Sequence, residues 1–173
     1  LRRFRPKYIS AVDSWHTHLP FAYSLMKAMQ PKIFVELGTH YGDSYFTFCQ
    51  ARKDASLDTK CFAVDHWEGD SHTNKYGEEV FQEVTNYNSE NYSDFSKLIR
   101  SKFSDALGLF ENGSIELLHL DGFHTFEAVN EDFITWLPKV RRNGIILIHD
   151  ICVRDRGFGV WKLWERIKNE FPS

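Results

Sequence analysis

Four short apolar runs in this chain end the same way. Ile33-Phe34-Val35-Glu36-Leu37-Gly38, Cys61-Phe62-Ala63-Val64-Asp65, the stretch from Ile115 to Asp121, and Ile145-Ile146-Leu147-Ile148-His149-Asp150 each close on or beside a carboxylate. An apolar run of this length bounded by turn residues reads as a buried strand. A carboxylate is costly to bury without a partner, so the acids must stand at a rim where they meet a partner, a ligand or water. One such acid is explained by a helix cap. Four at equivalent points are harder to explain by structure alone, and in open α/β sheets the carboxyl edge of the strands is where ligands bind.

The segments between these runs carry helical patterns. Phe21 to Met29 has apolar residues at 21, 22, 25, 26 and 29, opened by Pro20 and ended by Gln30-Pro31, as a first-turn proline and a closing proline predict. Asp43 to Arg52 follows, with Asp43 or Ser44 as its cap and Tyr45, Phe46, Phe48 and Cys49 as its apolar face. Glu78 to Asn86 is predicted helical and Asn86 to Asp94 turn-rich. Lys97 to Phe103 is a further strand, weakly alternating, and Asp105 to Phe110 a short helix. Glu127 to Leu137 turns Val129, Phe133, Ile134 and Leu137 to one side. Val160 to Phe171 is strongly amphipathic, with Val160, Trp161, Trp164, Ile167 and Phe171 apolar. Strands alternating with helices predict an α/β fold, a doubly wound and mostly parallel sheet with helices on both faces. With no repeat, low-complexity tract or internal linker, residues 1–173 read as one domain: a helical lead-in over 1–31 and a sheet core over 32–173.

Composition excludes several classes of function. Hydrophobic residues make up 42% and aromatics 16% of 173 residues, a folded composition in which roughly 70% of the unfolded surface is buried. The net charge is −3, so no global field attracts nucleic acid. The basic cluster Arg2, Arg3, Arg5 and Lys7 reads as a solvated tail. Cys49, Cys61 and Cys152 are widely spaced and odd in number, which fits a reducing, cytoplasmic setting better than a disulfide framework or a paired-cysteine zinc site. No apolar run has the ~20 residues of a membrane span.

The runs also carry the chemistry. Gly38 and Gly42 permit a tight turn after the first strand, where a ligand approaches the backbone closely, but the spacing is not GxGxxG. Asp65, at the tip of the second strand, is placed to accept hydrogen bonds from ribose hydroxyls. Together they predict a nucleoside cofactor without a diphosphate. Trp67 is either a ring that packs on a purine or a tryptophan closing the core, and His72 reads as a plain surface histidine. Asp121 and Asp150 fall on adjacent strands if the order is 3-2-1-4-5, and two neighbouring carboxylates call for a proton or a hard divalent cation such as magnesium. Alternation lets only one of His149 and Asp150 face the site, which favours Asp150 as the ligand; a bound His149 would make a transition metal more plausible. His124, three residues past Asp121, is a candidate general base. His119, inside the strand, is a core histidine.

Taken in order, Val35-Glu36-Leu37-Gly38-Thr39-His40-Tyr41-Gly42-Asp43-Ser44, Val64-Asp65-His66-Trp67-Glu68-Gly69-Asp70, Leu118 to Glu127 and Gly144 to Asp150 resemble the class I S-adenosylmethionine-dependent methyltransferases. The similarity is to the methyltransferase-24 type, found alone or attached to glycosyltransferases, and to macrocin-type sugar O-methyltransferases. It covers about residues 20 to 170. The resemblance implies a Rossmann-like fold with Glu36, Gly38, Thr39 and Gly42 around the methionine part of the cofactor. It places Asp65 on the ribose and Trp67, Ser104 and Asp105 near the adenine. It gives Asp121 to magnesium, with an acidic pair at the end of strand five, and His124 to the base. Here that pair is His149-Asp150, a departure from the pattern. The family's closing antiparallel hairpin has no counterpart in this sequence, which would leave strand five as an edge open to a second subunit.

The expectation is therefore O-methylation of a small acceptor, a sugar or other hydroxylated molecule, with Trp15, His16, His18 and the loop from Arg154 to Gly159 as acceptor-side walls. The rivals are a metal-dependent hydrolase built on Asp121, His124, His149 and Asp150, a nicotinamide oxidoreductase, and a non-catalytic module in a larger glycan-modifying protein.

Overall fold

Strand alternation divides the core into two. On β1 (Ile33–Leu37), Phe34 points to one face of the sheet and Val35 and Leu37 to the other; on β4 (Ile115–Leu120), Leu117 and Leu118 divide the same way. Each face buries its own apolar layer, as a sheet covered on both sides must. The computed structural model describes residues 4–70, 72 and 76–171. The strands β2 (Lys60–Asp65), β3 (Ser96–Arg100) and β5 (Val140–Ile148) complete a five-stranded parallel sheet in the order β3-β2-β1-β4-β5. This is the Rossmann-like, doubly wound α/β fold that the resemblance implies. The order reverses between β1 and β4, so a crevice opens at their carboxyl ends.

One face carries α1 (Leu19–Met29), α2 (Asp43–Asp54) and α3 (Glu78–Asn91); the other carries α4 (Phe103–Ala106), α5 (Phe126–Trp136) and α6 (Val160–Ile167). Helix α2 is buried without a break from Asp43 to Ala51, because the N-terminal segment covers what the sheet and α1 do not. The Lys7 ammonium pairs with Asp54 at 2.7 Å, the Lys7 amide donates to Gln50, and Gln50 donates to the Arg5 carbonyl. Arg5 and Lys7 thus belong to a strap tied to α2 and not to a solvated tail. Arg2 and Arg3 lie outside the described residues.

Several boundaries differ from the sequence reading, each for a physical reason. Helix α3 continues through the stretch read as turn-rich and ends at Asn91. Its inward row is Val80, Val84 and Asn88, and the polar third member is satisfied because the Ser96 hydroxyl donates to Asn88 at 2.5 Å. Strand β3 stops at Arg100; Phe103 opens α4, and a 3-10 turn over Leu107–Leu109 replaces the second half of the predicted helix. Strand β5 begins at Val140, ahead of Asn143-Gly144, and absorbs them at a register irregularity opposite Ile115 and Leu117. Helix α6 ends at Ile167 and buries Val160, Leu163 and Ile167, with Trp161 and Trp164 half-buried at its flanks. Phe21 and Ile134, assigned to inward faces, are exposed. Asp43 does not cap α2: it accepts from the Ser10 amide and hydroxyl, and Gly42 takes the cap position without a side-chain bond.

Candidate active site at the carboxyl edge

The site begins where β1 ends. Gly38 has φ +87°, and a Cβ there would stand 2.1 Å from the Asp121 carbonyl oxygen. Only glycine lets the tips of β1 and β4 close to this distance. The chain then turns through Thr39 and His40, whose amides both donate to Asp65 Oδ2, at 2.8 and 2.9 Å. Asp65 Oδ1 accepts the Trp67 amide at 2.7 Å. The acid of β2 therefore organises the turns after both β1 and β2, and its carboxylate is occupied by backbone. Gly42, at φ +90°, packs against the Phe46 ring, which a Cβ would meet at 2.7 Å.

Two cavities flank these turns. The first, about 320 Å³, runs along the tips of β2, β3 and β4, with Asp65, His66 and Asp70 on one side and Phe103, Ser104, Gly122, Phe123, Ala128 and Asp132 on the other. The second, about 510 Å³, lies beneath the N-terminal segment, walled by Val12, Ser14, Trp15, Thr39, Gly42, His72, His149, Asp150, Arg156 and Phe158. Gly38, His40, Tyr76, Asp121 and His124 line both. The two cavities thus share a wall at the tips of β1 and β4.

On the shared wall Asp121 and His124 meet two titratable side chains of the second cavity, His149 and Asp150. His124 Nε2 lies 3.4 Å from Asp121 Oδ1 and 3.2 Å from Asp150 Oδ2. His149 Nδ1 lies 3.2 Å from Asp121 Oδ1 and 3.3 Å from Asp150 Oδ1. The Trp15 indole N–H donates to Asp121 Oδ2 at 2.7 Å, and its ring stacks on His149 at 5.0 Å. Burial alone would raise the Asp121 carboxyl; the facing charge of His149 and the hydrogen bonds of His124 and His149 outweigh it and hold that carboxyl well below its ordinary range. Burial would lower His149, and Asp121 with Asp150 outweigh that and push it up to about 10.

Strand alternation predicts that only one of His149 and Asp150 faces the site, but both do. Strand β5 ends at Ile148 and Asp150 adopts φ +56°, so the strand's two-residue period no longer governs them and both converge. Asp121, His124 and Asp150 each offer a ligand atom within 4.8 Å of the others. Two carboxylates and an imidazole at that spacing suit a divalent cation; His149 is not a member of that set and faces Asp121 and Asp150 beside it.

Other predicted residues fall elsewhere. Glu36 lies inside the strand, not on a cavity wall: it is fully buried, and its Oε2 lies 2.8 Å from His119 Nδ1. Burial pushes the Glu36 carboxyl up, opposed by the hydrogen bond with His119. His119 is accordingly a core histidine with a partner. Trp67 is fully buried with φ +54°, donates from Nε1 to the His40 carbonyl, and packs on Phe81. It supports the turn from behind and offers no ring face to a purine. Ser104 lines the first cavity; Asp105 is exposed, lies off its wall and accepts from the Ser104 hydroxyl. Thr39 lines the second cavity with its hydroxyl buried and unpartnered. Trp15 and Phe158 wall that cavity as predicted for their segments, whereas His16 faces Asp43 and His18 belongs to a separate groove with Phe21 and Cys152.

Sequence reasoning missed two contributors, His72 and Asp132. His72 is half-buried, stacks on Phe158 at 4.7 Å and lies 5.8 Å from His124; it is no plain surface histidine. Phe158 itself stacks on His124 at 4.5 Å, held there because the Gly159 amide donates to the His124 carbonyl. Asp132, on α5, faces the first cavity. Only Asp132 carried a sequence signal, a carboxylate one position from the inward Phe133.

The comparisons with known proteins agree with this fold. The model of a methyltransferase domain family matches residues 35–151. The protein y4gI of Sinorhizobium fredii, described as uncharacterized, is 44% identical over 169 residues, which are 98% of this chain and 18% of that protein; the chain thus spans less than a fifth of its relative. Among solved structures, cofactor-bound Rv0187 from MTB superposes with a TM-score of 0.68 at 16% identity, covering 97% of this chain and 72% of that one. The O-methyltransferase TomG from Streptomyces achromogenes, in complex with SAM, gives 0.65 at 16% identity over 94% and 70%. SAH-bound methyltransferase PaMTH1 from Podospora anserina gives 0.61 at 17% over 78% and 52%. Among the described residues no helix is long and apolar enough to cross a membrane.

Proposed function

Because the chain belongs to the methyltransferase domain family, we propose that it moves a methyl group from S-adenosylmethionine to a hydroxyl of a small acceptor, a sugar or other hydroxylated molecule. The observation that carries this reading is the shared wall: two cavities of about 320 and 510 Å³ meet at Asp121 and His124. One receives the nucleoside end of the cofactor, between the β2 tip and Phe103. The other receives the acceptor, beneath Trp15 and Phe158. The turn at Gly38 and the buried Thr39 hydroxyl take the amino-acid end. TomG, of the same fold, is an O-methyltransferase, which supports oxygen as the receiving atom.

In the proposed step the acceptor oxygen attacks the methyl carbon, a carbon–oxygen bond forms, and the carbon–sulfur bond breaks with its electron pair left on sulfur. From the tautomer that carries its proton on Nδ1, His124 takes the hydroxyl proton on Nε2, and Asp121 and Asp150 stabilise the imidazolium that forms. Transfer requires three atoms in line, so most of the rate gain comes from holding both substrates against one wall. A divalent cation, when bound, would be held by Asp121, His124 and Asp150 and would acidify a coordinated hydroxyl. His124 then serves as a ligand, not as the base, so the metal and the base are alternative uses of one nitrogen.

The test is calorimetry with S-adenosylmethionine and S-adenosylhomocysteine, followed by turnover measured as S-adenosylhomocysteine release over a panel of hydroxylated acceptors. His124→Ala should keep cofactor affinity and lose about 10²–10⁴ in turnover. Full turnover in that variant removes His124 from the chemistry. Turnover abolished by a chelator and restored by magnesium assigns His124 to the cation; turnover unchanged by the chelator assigns it to the proton. Metal binding without any affinity for the cofactor would favour the hydrolase reading instead.

A further inference from the structure

Among the acids around the site that are buried or half-buried, Asp132 is the exception; Glu131, on the same wall, is exposed to water. Asp43 accepts from Ser10, Asp65 from three backbone amides and Asp121 from Trp15, and Asp150 faces two histidines. Among the described residues no hydrogen bond or ion pair reaches the Asp132 carboxyl, and the charge it feels, from Glu131, is of the same sign. Burial and Glu131 together push it up to about 7. A half-buried acid without a donor is costly, so it is retained either by chance or for a donor that arrives with a ligand.

Its surroundings define the donor. Asp132 lines the first cavity at the end formed by α4 and α5, beside Phe103, Ser104, Phe123 and Ala128. Gly122 keeps that end open: a Cβ there would stand 2.4 Å from the Phe103 ring and 3.5 Å from Asp132 Oδ2. The crevice is therefore narrow, with aromatic side chains on its walls and an acceptor oxygen at its edge. On the reading proposed above, the sulfur of the cofactor faces Asp121 and His124, and the ribose lies toward the β2 tip. That leaves the α4–α5 end to the base.

We propose that Asp132 is the specificity-determining residue for the purine, its carboxyl oxygen accepting a hydrogen bond from the exocyclic amino group of adenine. This inference rests on the cofactor reading. It assigns base recognition to α5 instead of Asp105, whose carboxylate lies off the cavity wall. An oxopurine presents an acceptor where adenine presents a donor, and two facing acceptors repel, so the site should reject it.

The test compares S-adenosylhomocysteine with its deaminated analogue, S-inosylhomocysteine, by calorimetry on the full chain. The wild type should prefer the adenine form by about 10–100-fold. Asp132→Leu should bind the two alike, and Asp132→Asn, whose amide offers either an acceptor or a donor, should narrow the preference. Asp132→Ala replaces the leucine variant if that one fails to fold. A wild type that binds both equally, or a leucine or alanine variant that still discriminates, overturns the assignment while leaving the cofactor reading intact. A wild type that binds neither overturns the cofactor reading and this inference with it.

Discussion

The two sides of the carboxyl edge are built by different means. At β1 and β2, Asp65 is wired to the amides of Thr39, His40 and Trp67, so one side chain fixes two turns through backbone. At β4 and β5, Asp121, His124, His149 and Asp150 face one another through side chains, with Trp15 reaching in from 106 residues away. In the first arrangement backbone amides saturate the carboxylate. The second is long-range and leaves groups over: His124 Nδ1 is buried without a partner. A saturated carboxylate contributes shape, and an unsaturated cluster contributes reactivity. The contrast therefore separates residues whose loss should cost folding from residues whose loss should cost chemistry.

The largest effect that tests this division is at Asp65. Asp65→Ala strands three amide groups in a buried turn, at roughly 1–3 kcal/mol each before relaxation. We expect about 3–5 kcal/mol of lost stability by urea denaturation, with loss of S-adenosylhomocysteine binding. His124→Ala should cost only about 1 kcal/mol, for its stack on Phe158. Equal denaturation midpoints for the two variants would abolish the distinction between the two sides.

The same division governs what was legible in the sequence. The strand positions and the order β3-β2-β1-β4-β5 follow from apolar runs of strand length and from the acids that end them, both local signals. The meeting of Asp121, His124 and Asp150 follows from strand adjacency, which the order supplies. What stayed hidden depends on contacts that no local period records. Trp15 joins Asp121 across most of the chain, and His72 acquires its role from Phe158, itself placed by the Gly159 amide. Asn88 looked like a turn residue because a polar side chain on an inward row is read as a break; only its bond from Ser96 reveals the helix. Glu36 and the adenine reading of Trp67 erred in the opposite direction: their positions matched a binding pattern, but the chain buries both completely, and Trp67 closes the core as its other reading had it.

A smaller effect tests how firmly the N-terminal strap is joined to the acceptor side. Trp15→Phe keeps a ring against His149 and removes the N–H from Asp121 Oδ2. A hydrogen bond to a charged group contributes about 1.5–3 kcal/mol, and His149 still faces that carboxylate, so a loss of about 1.5 kcal/mol is expected. A double-mutant cycle with Asp121→Asn should return most of it as coupling energy. Independent, additive losses would mean that the strap merely lies on the site.

Asp132 blurs the division, since it sits on the cofactor side yet is unsatisfied like a member of the other cluster, and its pH dependence sharpens the comparison. Its carboxyl binds a proton more tightly in the folded chain, at about 7 against an ordinary 3.8, so its contribution to stability is fully present below pH 3.8 and is lost as pH rises through about 7. Asp132→Asn carries no charge at any pH. It should match the wild type at pH 4 and exceed it at pH 8 by about 1–2 kcal/mol, after discounting for solvent screening of a half-buried group. Saturating S-adenosylhomocysteine should narrow that gap, because a donor on the ligand gives the charged form the partner it lacks. Asp65 has its donors already, so the cofactor offers its carboxylate no comparable gain. A gap at pH 8 that the ligand leaves unchanged would place Asp132 with the chance carboxylates of the surface, and the cofactor side of the edge would again be uniform.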